Sequence, residues 1–389
     1  MNTFFRPFLV GSGLLLLLGA CTSNAVNQTD PIDDLVESGL DSLRSKGDFK
    51  AISLGLVIGE EERMYHLGAL PSGEEPTDET LYEIASLTKT MTGTLLAGVV
   101  SRGQVSVEED VRTYLPGTYP GLEFAGQPIR LKDILLHTSG LPRMFPVADH
   151  LFKAPDFNQL PGQINDLQQG YSKEQFLEAL REYKLDTLPG TRMNYSNAGA
   201  NVIGFCLEEI MGERYADLLD KYLFSPLGMQ DSRMIGSDLG GKNLALGYND
   251  QGLEMPLMAT KYMSAEGGVL SSTRDMIEYM KFHLNQEDMI TQTAQQPLWQ
   301  GQYGDFDAGF FWQLRNRGDS GTEVFQNGGA YGTSSWMSLF PEEELGIFVV
   351  TNLSGPTVHQ TLNLFVDQLH TALQQKQLLN HSSKTINDE

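Results

Sequence analysis

Apolar positions recur along this chain with two different periods, and the places where the period changes mark its elements. Val36, Gly39, Leu40 and Leu43 fall at helical spacing and predict an amphipathic first helix. Ala51 to Ile58 is an almost unbroken apolar run of strand length, and beyond the acidic turn at Glu60 to Glu62 a second strand starts at Met64. Much later, Phe310 to Arg315, Thr322 to Gln326, Ser334 to Phe340 and Leu345 to Asn352 predict successive antiparallel strands joined by turns around Gly318 and Pro341. Val358, Leu362, Phe365, Val366, Leu369 and Leu373 then repeat at three and four residues and predict a closing helix. The middle, 111–260, is helix-rich, and within it Met144 to Gly170 carries three prolines and little periodicity, so it is expected to be a long loop bordering a cleft. The pattern is that of an α+β protein in which both chain ends build one antiparallel sheet flanked by helices, with an all-helical subdomain inserted between. The natural cleft lies between the two lobes.

The start of the chain follows a different rule. Arg6 precedes an apolar run from Phe8 to Leu18, about ten residues, too short to span a bilayer and suited to an export signal. It ends in Leu18-Gly19-Ala20-Cys21, which resembles a bacterial lipobox and implies that Cys21 becomes a lipidated N-terminus. Residues 1–20 are therefore expected to be a signal peptide, 21–31 a tether, 32–375 the folded domain and 376–389 a flexible tail. Within the domain the expected sheet lobe is 32–110 with 261–375, and the helical lobe 111–260. The expected location is a bacterial membrane, held by lipid, facing the periplasm or the exterior. Cys206 is the only other thiol, so no intramolecular disulfide is expected; its spacing with Ile203, Leu207 and Ile210 predicts a core position.

Composition narrows the function. The 389 residues are 40% apolar, enough for a large core. Lys and Arg number 27 against 50 Asp and Glu, a net charge of −23 that repels phosphate backbones and excludes nucleic acid as a partner. The histidines show no metal-ligand spacing, and no metal is expected.

The chemistry gathers in two short stretches. Ser86-Leu87-Thr88-Lys89 opens a helical stretch that runs to Arg102 and stops at Gly103. Positions three apart share a helical face, so the Lys89 amine lies beside the Ser86 hydroxyl. A serine is a weak nucleophile until a neighbour takes its proton, and a helix N-terminus supplies main-chain N–H groups for a developing oxyanion. The second stretch is Tyr195-Ser196-Asn197, followed by a helix to Met211. Here the phenol can shuttle a proton, and the carboxamide can hold a substrate amide or the lysine. Whether Lys89 or Tyr195 is the base is a coupled-titration question that the residue types leave open.

These residues carry a resemblance. Ser86 to Lys89, His137-Thr138-Ser139-Gly140-Leu141-Pro142, Tyr195-Ser196-Asn197, Pro226-Leu227-Gly228-Met229 and the stretch from Gly267 to Asp275 make the chain resemble the serine β-lactamase and penicillin-binding superfamily. The likeness is to its class C branch of β-lactamases, D-alanyl-D-alanine carboxypeptidases and esterases. It implies a β-lactamase/transpeptidase-like fold and an acyl-enzyme on Ser86 with no cofactor. Lys89 and Tyr195 would manage protons and Asn197 would orient a small-molecule or peptidoglycan-derived substrate. It further implies substrate contact by Gln326-Asn327-Gly328-Gly329, where the family places Lys or His, then any residue, then Gly, and an oxyanion hole from the amides of Ser86 and Gly329.

Gln326 departs from that pattern, because it carries no charge. A substrate carboxylate loses a contact worth about 1.5–3 kcal/mol unless Arg315, Arg317 or Lys261 reaches the cleft. Weight shifts toward esters, amides or peptides without an obligatory carboxylate, and cell-wall D-amino-acyl peptide or ester hydrolysis ranks ahead of β-lactam hydrolysis. Gln326→Lys is expected to raise turnover of carboxylate-bearing substrates. His137 reads as part of a structural turn and Gly318-Asp319-Ser320-Gly321 as a hairpin turn, not as catalytic groups. The alternative to a serine hydrolase is a non-catalytic envelope protein that binds peptidoglycan fragments or a protein partner.

Overall fold

The computed structural model describes residues 30–156, 158–258, 265–299 and 306–379; Cys21, Lys261 and most of the expected tether and tail lie outside these. The first helix, α1 (Pro31–Arg44), starts where the Asp30 carboxylate accepts the Ile32 N–H at 2.8 Å, with Pro31 in the first turn and Asp33 and Asp34 close behind. All three features favour a helix start. Its Val36, Leu40 and Leu43 are buried, each contributing about 1.5–3 kcal/mol of transfer free energy.

The strands β1 (Ala51–Ile58) and β2 (Glu61–Gly68) form a hairpin pairing Ile58 with Glu61, so β2 begins three residues before Met64. Glu60 lies in the turn, as expected, while Glu61 and Glu62 are the exposed start of β2. Three helices then matter for the site: α2 (Leu87–Ser101), α3 (Asn197–Met211) and α4 (Thr273–Leu284). The C-terminal strands follow as β3 (Asp307–Ala308), β4 (Gln313–Asn316), β5 (Thr322–Gly329), β6 (Ser334–Phe340) and β7 (Leu345–Thr351), with α5 (Val358–Gln375) closing the chain. One antiparallel sheet runs β3-β4-β5-β6-β7-β1-β2, so β1 pairs with β7 from the other end of the chain.

Both faces of the sheet are covered, which is why β1 is buried at every residue and reads as a continuous apolar run. Ile52, Leu54, Ile347 and Val349 pack toward α1 and α5; Val57, Met337, Phe348 and Val350 pack toward the core shared with α2, α4 and the helical lobe. Helix α2 is buried from Leu87 to Val99, and a Cβ at its Gly93 would sit 2.2 Å from the Phe310 carbonyl. Only glycine lets the helix approach the chain that leads into β4.

Residues 111–258 hold helices and only strands of two or three residues. Met144 to Gly170 is not a structureless loop: it contains a helical turn at Asp149–Phe152 and an α-helix at Leu160–Gln168. Pro161 lies in the first turn of that helix, where a missing N–H costs nothing, so proline here starts a helix instead of breaking one. Ile164 packs with Met144 and Ala148 in a small apolar cluster that also touches Tyr331.

Candidate active site

Ser86 sits at the N-cap of α2 with its own backbone already helical and its side chain free of any capping bond. The hydroxyl instead meets Tyr195 Oη at 2.7 Å and receives a hydrogen bond from Lys89 Nζ at 3.0 Å. Lys89 is fully buried, and its amine also donates to the Glu266 carbonyl. It lies 5.0 Å from the Tyr195 ring centroid. Amine, hydroxyl and phenol therefore form one contiguous group. Because the Lys89 amine donates to the Ser86 oxygen, the serine proton is left to point at the Tyr195 oxygen.

Tyr195 is positioned by what surrounds it. Ser196 caps α3 by accepting the Gly199 N–H at 2.9 Å, while its hydroxyl donates to the Pro142 carbonyl at 2.6 Å. The N–H groups of Asn197 and Ala198 donate to the Arg143 carbonyl. The start of α3 is thus strapped to the segment 137–143. In that segment the His137 ring lies 4.4 Å from the Tyr195 ring, and its Nδ1 accepts the Ser196 N–H at 3.2 Å. That bond requires a lone pair on Nδ1, and burial pushes the imidazole down to about 3, so His137 is neutral. His137 is not a base; it holds Tyr195 in place, a contact the sequence reading did not anticipate.

The cavity at Ser86 has a volume of about 400 Å3 and is lined by Tyr195, Asn197, Gln326, Asn327 and Gly329 among others. No hydrogen bond joins the Asn197 carboxamide to Lys89. The residue bonded to the acid behind the lysine is Asn201, whose Nδ2 donates to Glu266 Oε2 at 2.8 Å. Burial lifts the Glu266 carboxyl to about 7, with Lys89 pulling the other way.

The strand edge is built differently. Gln326 Nε2 donates to the Phe311 carbonyl at 2.6 Å, while its Oε1 accepts from Gln313 Nε2 and from the Asn327 N–H. Its carboxamide is therefore occupied in bracing the neighbouring strand. A Cβ at Gly328 would lie 2.0 Å from the Ile84 carbonyl, so this glycine lets β5 press against the turn that carries Ser86. His359 Nε2 donates to the Gly328 carbonyl at 2.9 Å and steadies the same strand end. The Ser86 N–H meets no protein acceptor among the described residues. Among the described residues six non-glycine positions have positive φ, and three of them, Ala85, His137 and Phe311, flank this cavity, so strained backbone concentrates where Ser86 is presented.

Two cations raised by the sequence are paired elsewhere. Arg315 and Arg317 both pair with Glu323, and Arg317 also with Asp367. The third, Lys261, is outside the described residues. The cavity instead holds Arg143, which the sequence reading passed over although it directly follows Pro142. Cys206 is buried in α3, its thiol pushed up by desolvation. Gly318–Ser320 forms a turn away from the cavity. Among the described residues no cluster of His, Cys, Asp or Glu is arranged to hold a metal.

Known proteins share this architecture. D-alanyl-D-alanine-carboxypeptidase/endopeptidase AmpH of Escherichia coli strain K12 is 26% identical over 385 residues, covering 92% of this chain and 95% of that protein. A beta-lactamase/D-alanine carboxypeptidase structure from Yersinia pestis superposes with a TM-score of 0.72 at 22% identity, over 87% of this chain and 98% of its own. A class C beta-lactamase structure gives a TM-score of 0.73 at 19% identity, over 88% and 96%. With the model of the Beta-lactamase family matching residues 32–371, from the first helix into the last, the chain belongs to that family and is a serine hydrolase.

Proposed function

We propose that the protein is a lipid-anchored hydrolase of the cell envelope that forms an acyl-enzyme on Ser86 with D-amino-acyl peptides and esters, with β-lactams as secondary substrates. The observation that carries this reading is the Ser86 hydroxyl held between Tyr195 Oη at 2.7 Å and Lys89 Nζ at 3.0 Å. Tyr195 takes the serine proton as Oγ attacks the substrate carbonyl. The buried Lys89 amine, 3.0 Å from the Ser86 oxygen, favours negative charge as it develops there. The amides of Ser86 and Gly329 receive the oxyanion, a task of backbone alone that the residue at 326 does not alter. Tyr195 then returns the proton to the departing amine or alkoxide as the carbon–heteroatom bond breaks. A water molecule, deprotonated by the same phenolate, attacks the ester carbonyl, and the phenol then gives that proton to Ser86 Oγ as the acyl–Oγ bond breaks, releasing the acid and restoring Ser86.

The D-amino-acyl preference draws on the name of the E. coli relative. Incubating the protein with a fluorescent penicillin, a chromogenic cephalosporin and a p-nitrophenyl ester, each beside Ser86→Ala, tests the reading. Signal lost in the variant supports it, and equal signal for every probe overturns it. The anchor rests on Cys21: Cys21→Ala is expected to move the protein from the membrane to the soluble fraction, and an unchanged membrane fraction contradicts a lipid anchor.

A further inference from the structure

The cleft is where this acidic chain shows no acid. None of the described residues lining the cavity is Asp or Glu, although the sequence contains 50 of them, and Arg143 is the only Lys or Arg in that lining. Behind Ser86 lie Lys89 and the buried Glu266, whose carboxyl burial lifts to about 7, so the wall of the cavity itself presents one cation, Arg143, and no acid in a protein of net charge −23. Such a pocket favours anionic groups over the surrounding surface.

Arg143 is held for that task. Its carbonyl accepts the Asn197 and Ala198 N–H groups, which fixes its backbone to the start of α3. Its guanidinium lies 4.7 Å from the Phe152 ring centroid and 5.7 Å from that of Tyr195, and it has no carboxylate partner among the described residues. Aromatic rings at a guanidinium's face leave the N–H groups in its plane available, and that fork matches a carboxylate. Tyr195 thus serves two neighbours: its hydroxyl touches Ser86 and its ring carries Arg143.

We propose that Arg143 is the specificity-determining cation of the cleft, binding a carboxylate of the acyl donor from the helical edge in place of the strand-borne cation that Gln326 does not supply. This names the substrate class, carboxylate-bearing acyl donors, and it rests on the acyl-hydrolase reading above. The test avoids turnover, so its failure is separable from failure of that reading. In Ser86→Ala protein, calorimetry compares N-acetyl-D-alanyl-D-alanine with its C-terminal amide, and N-succinyl-D-alanyl-D-alanine amide with its N-acetyl counterpart. The two pairs place the carboxylate on either side of the scissile bond. In at least one pair the acid is expected to bind about tenfold more tightly than its neutral partner. Adding Arg143→Ala should bring that preference below about threefold, and Arg143→Lys should keep part of it because charge remains without the fork. Equal affinities in both pairs, no binding of any of the compounds, or a preference that survives Arg143→Ala overturns the proposal.

Discussion

The two edges of the cleft use polar side chains in opposite ways. On the helical edge, Lys89, Tyr195 and Arg143 have their functional atoms at Ser86 or in the cavity, and His137, Ser196 and Asn201 stand behind them. On the strand edge, the long polar side chains Gln313 and Gln326 line the cavity but are bonded to each other, and Gln326 also donates to the Phe311 carbonyl. That edge offers main chain, with Gly328 and Gly329 allowing close approach and His359 steadying the strand. The difference teaches that a fold can keep backbone chemistry on one edge while charge recognition resides on the other. An oxyanion hole needs only N–H groups, so the side chain at 326 is free to take structural work.

The largest expected effect breaks the helical edge at its centre. Lys89→Met removes the amine between Ser86 and the Glu266 carbonyl and should lower kcat by about a thousandfold or more. A loss below about tenfold in steady-state ester hydrolysis would show that the lysine is only packing. Glu266→Gln probes the charge behind that lysine and keeps the Asn201 bond. The folded carboxyl holds its proton to about pH 7, whereas in the unfolded chain it ionises near 4.5. Unfolding therefore releases a proton between these values, and this group's contribution to stability is full below about 4.5 and lost as pH rises to 7. Relative to the parent, the glutamine variant should gain on the order of a few kcal/mol between pH 4.5 and 7.5 in denaturant melts, and a constant difference contradicts the assignment.

Smaller effects sharpen the comparison. His137→Phe keeps a ring against Tyr195 but leaves the buried Ser196 N–H without its acceptor, a cost of about 1–3 kcal/mol in stability. With the phenol less well held, kcat should fall about tenfold while KM changes little; a KM effect alone would remove His137 from the positioning role. Gln326→Lys is the mildest case. The sequence suggests that a restored cation raises turnover of carboxylate substrates, but this side chain is tied to Phe311 and Gln313, so a lysine there must first break those bonds. The gain in preference for acids over amides should stay below about threefold; a tenfold gain would return charge recognition to the strand edge.

What the sequence made legible follows from range. Ala51–Ile58 and Ser334–Phe340 have the same bounds in sequence and structure, because burial at every residue leaves both segments without a charged side chain. Ser86 and Lys89 share a helical face by local geometry alone. Other features depend on partners distant in sequence. Strand β5 extends past Gln326, where the predicted strand ends, to Gly329, because Asn327-Gly328-Gly329 pairs with Ser334 to Trp336. Phe310 to Trp312 is not strand, because Phe311 adopts positive φ beside the cavity and regular pairing starts at Gln313. Arg315 and Arg317 looked free, and only the fold reveals Glu323 and Asp367 beside them. Arg143 was hidden for the complementary reason: nothing in a sequence shows that a surface arginine lacks a carboxylate.

The central claim is a covalent one, and intact-protein mass spectrometry addresses it most directly. After exposure to a penicillin or a fluorophosphonate, the account predicts the mass of one adduct, mapped to Ser86 and absent from Ser86→Ala. An unmodified parent, or the same added mass on the alanine variant, would contradict it.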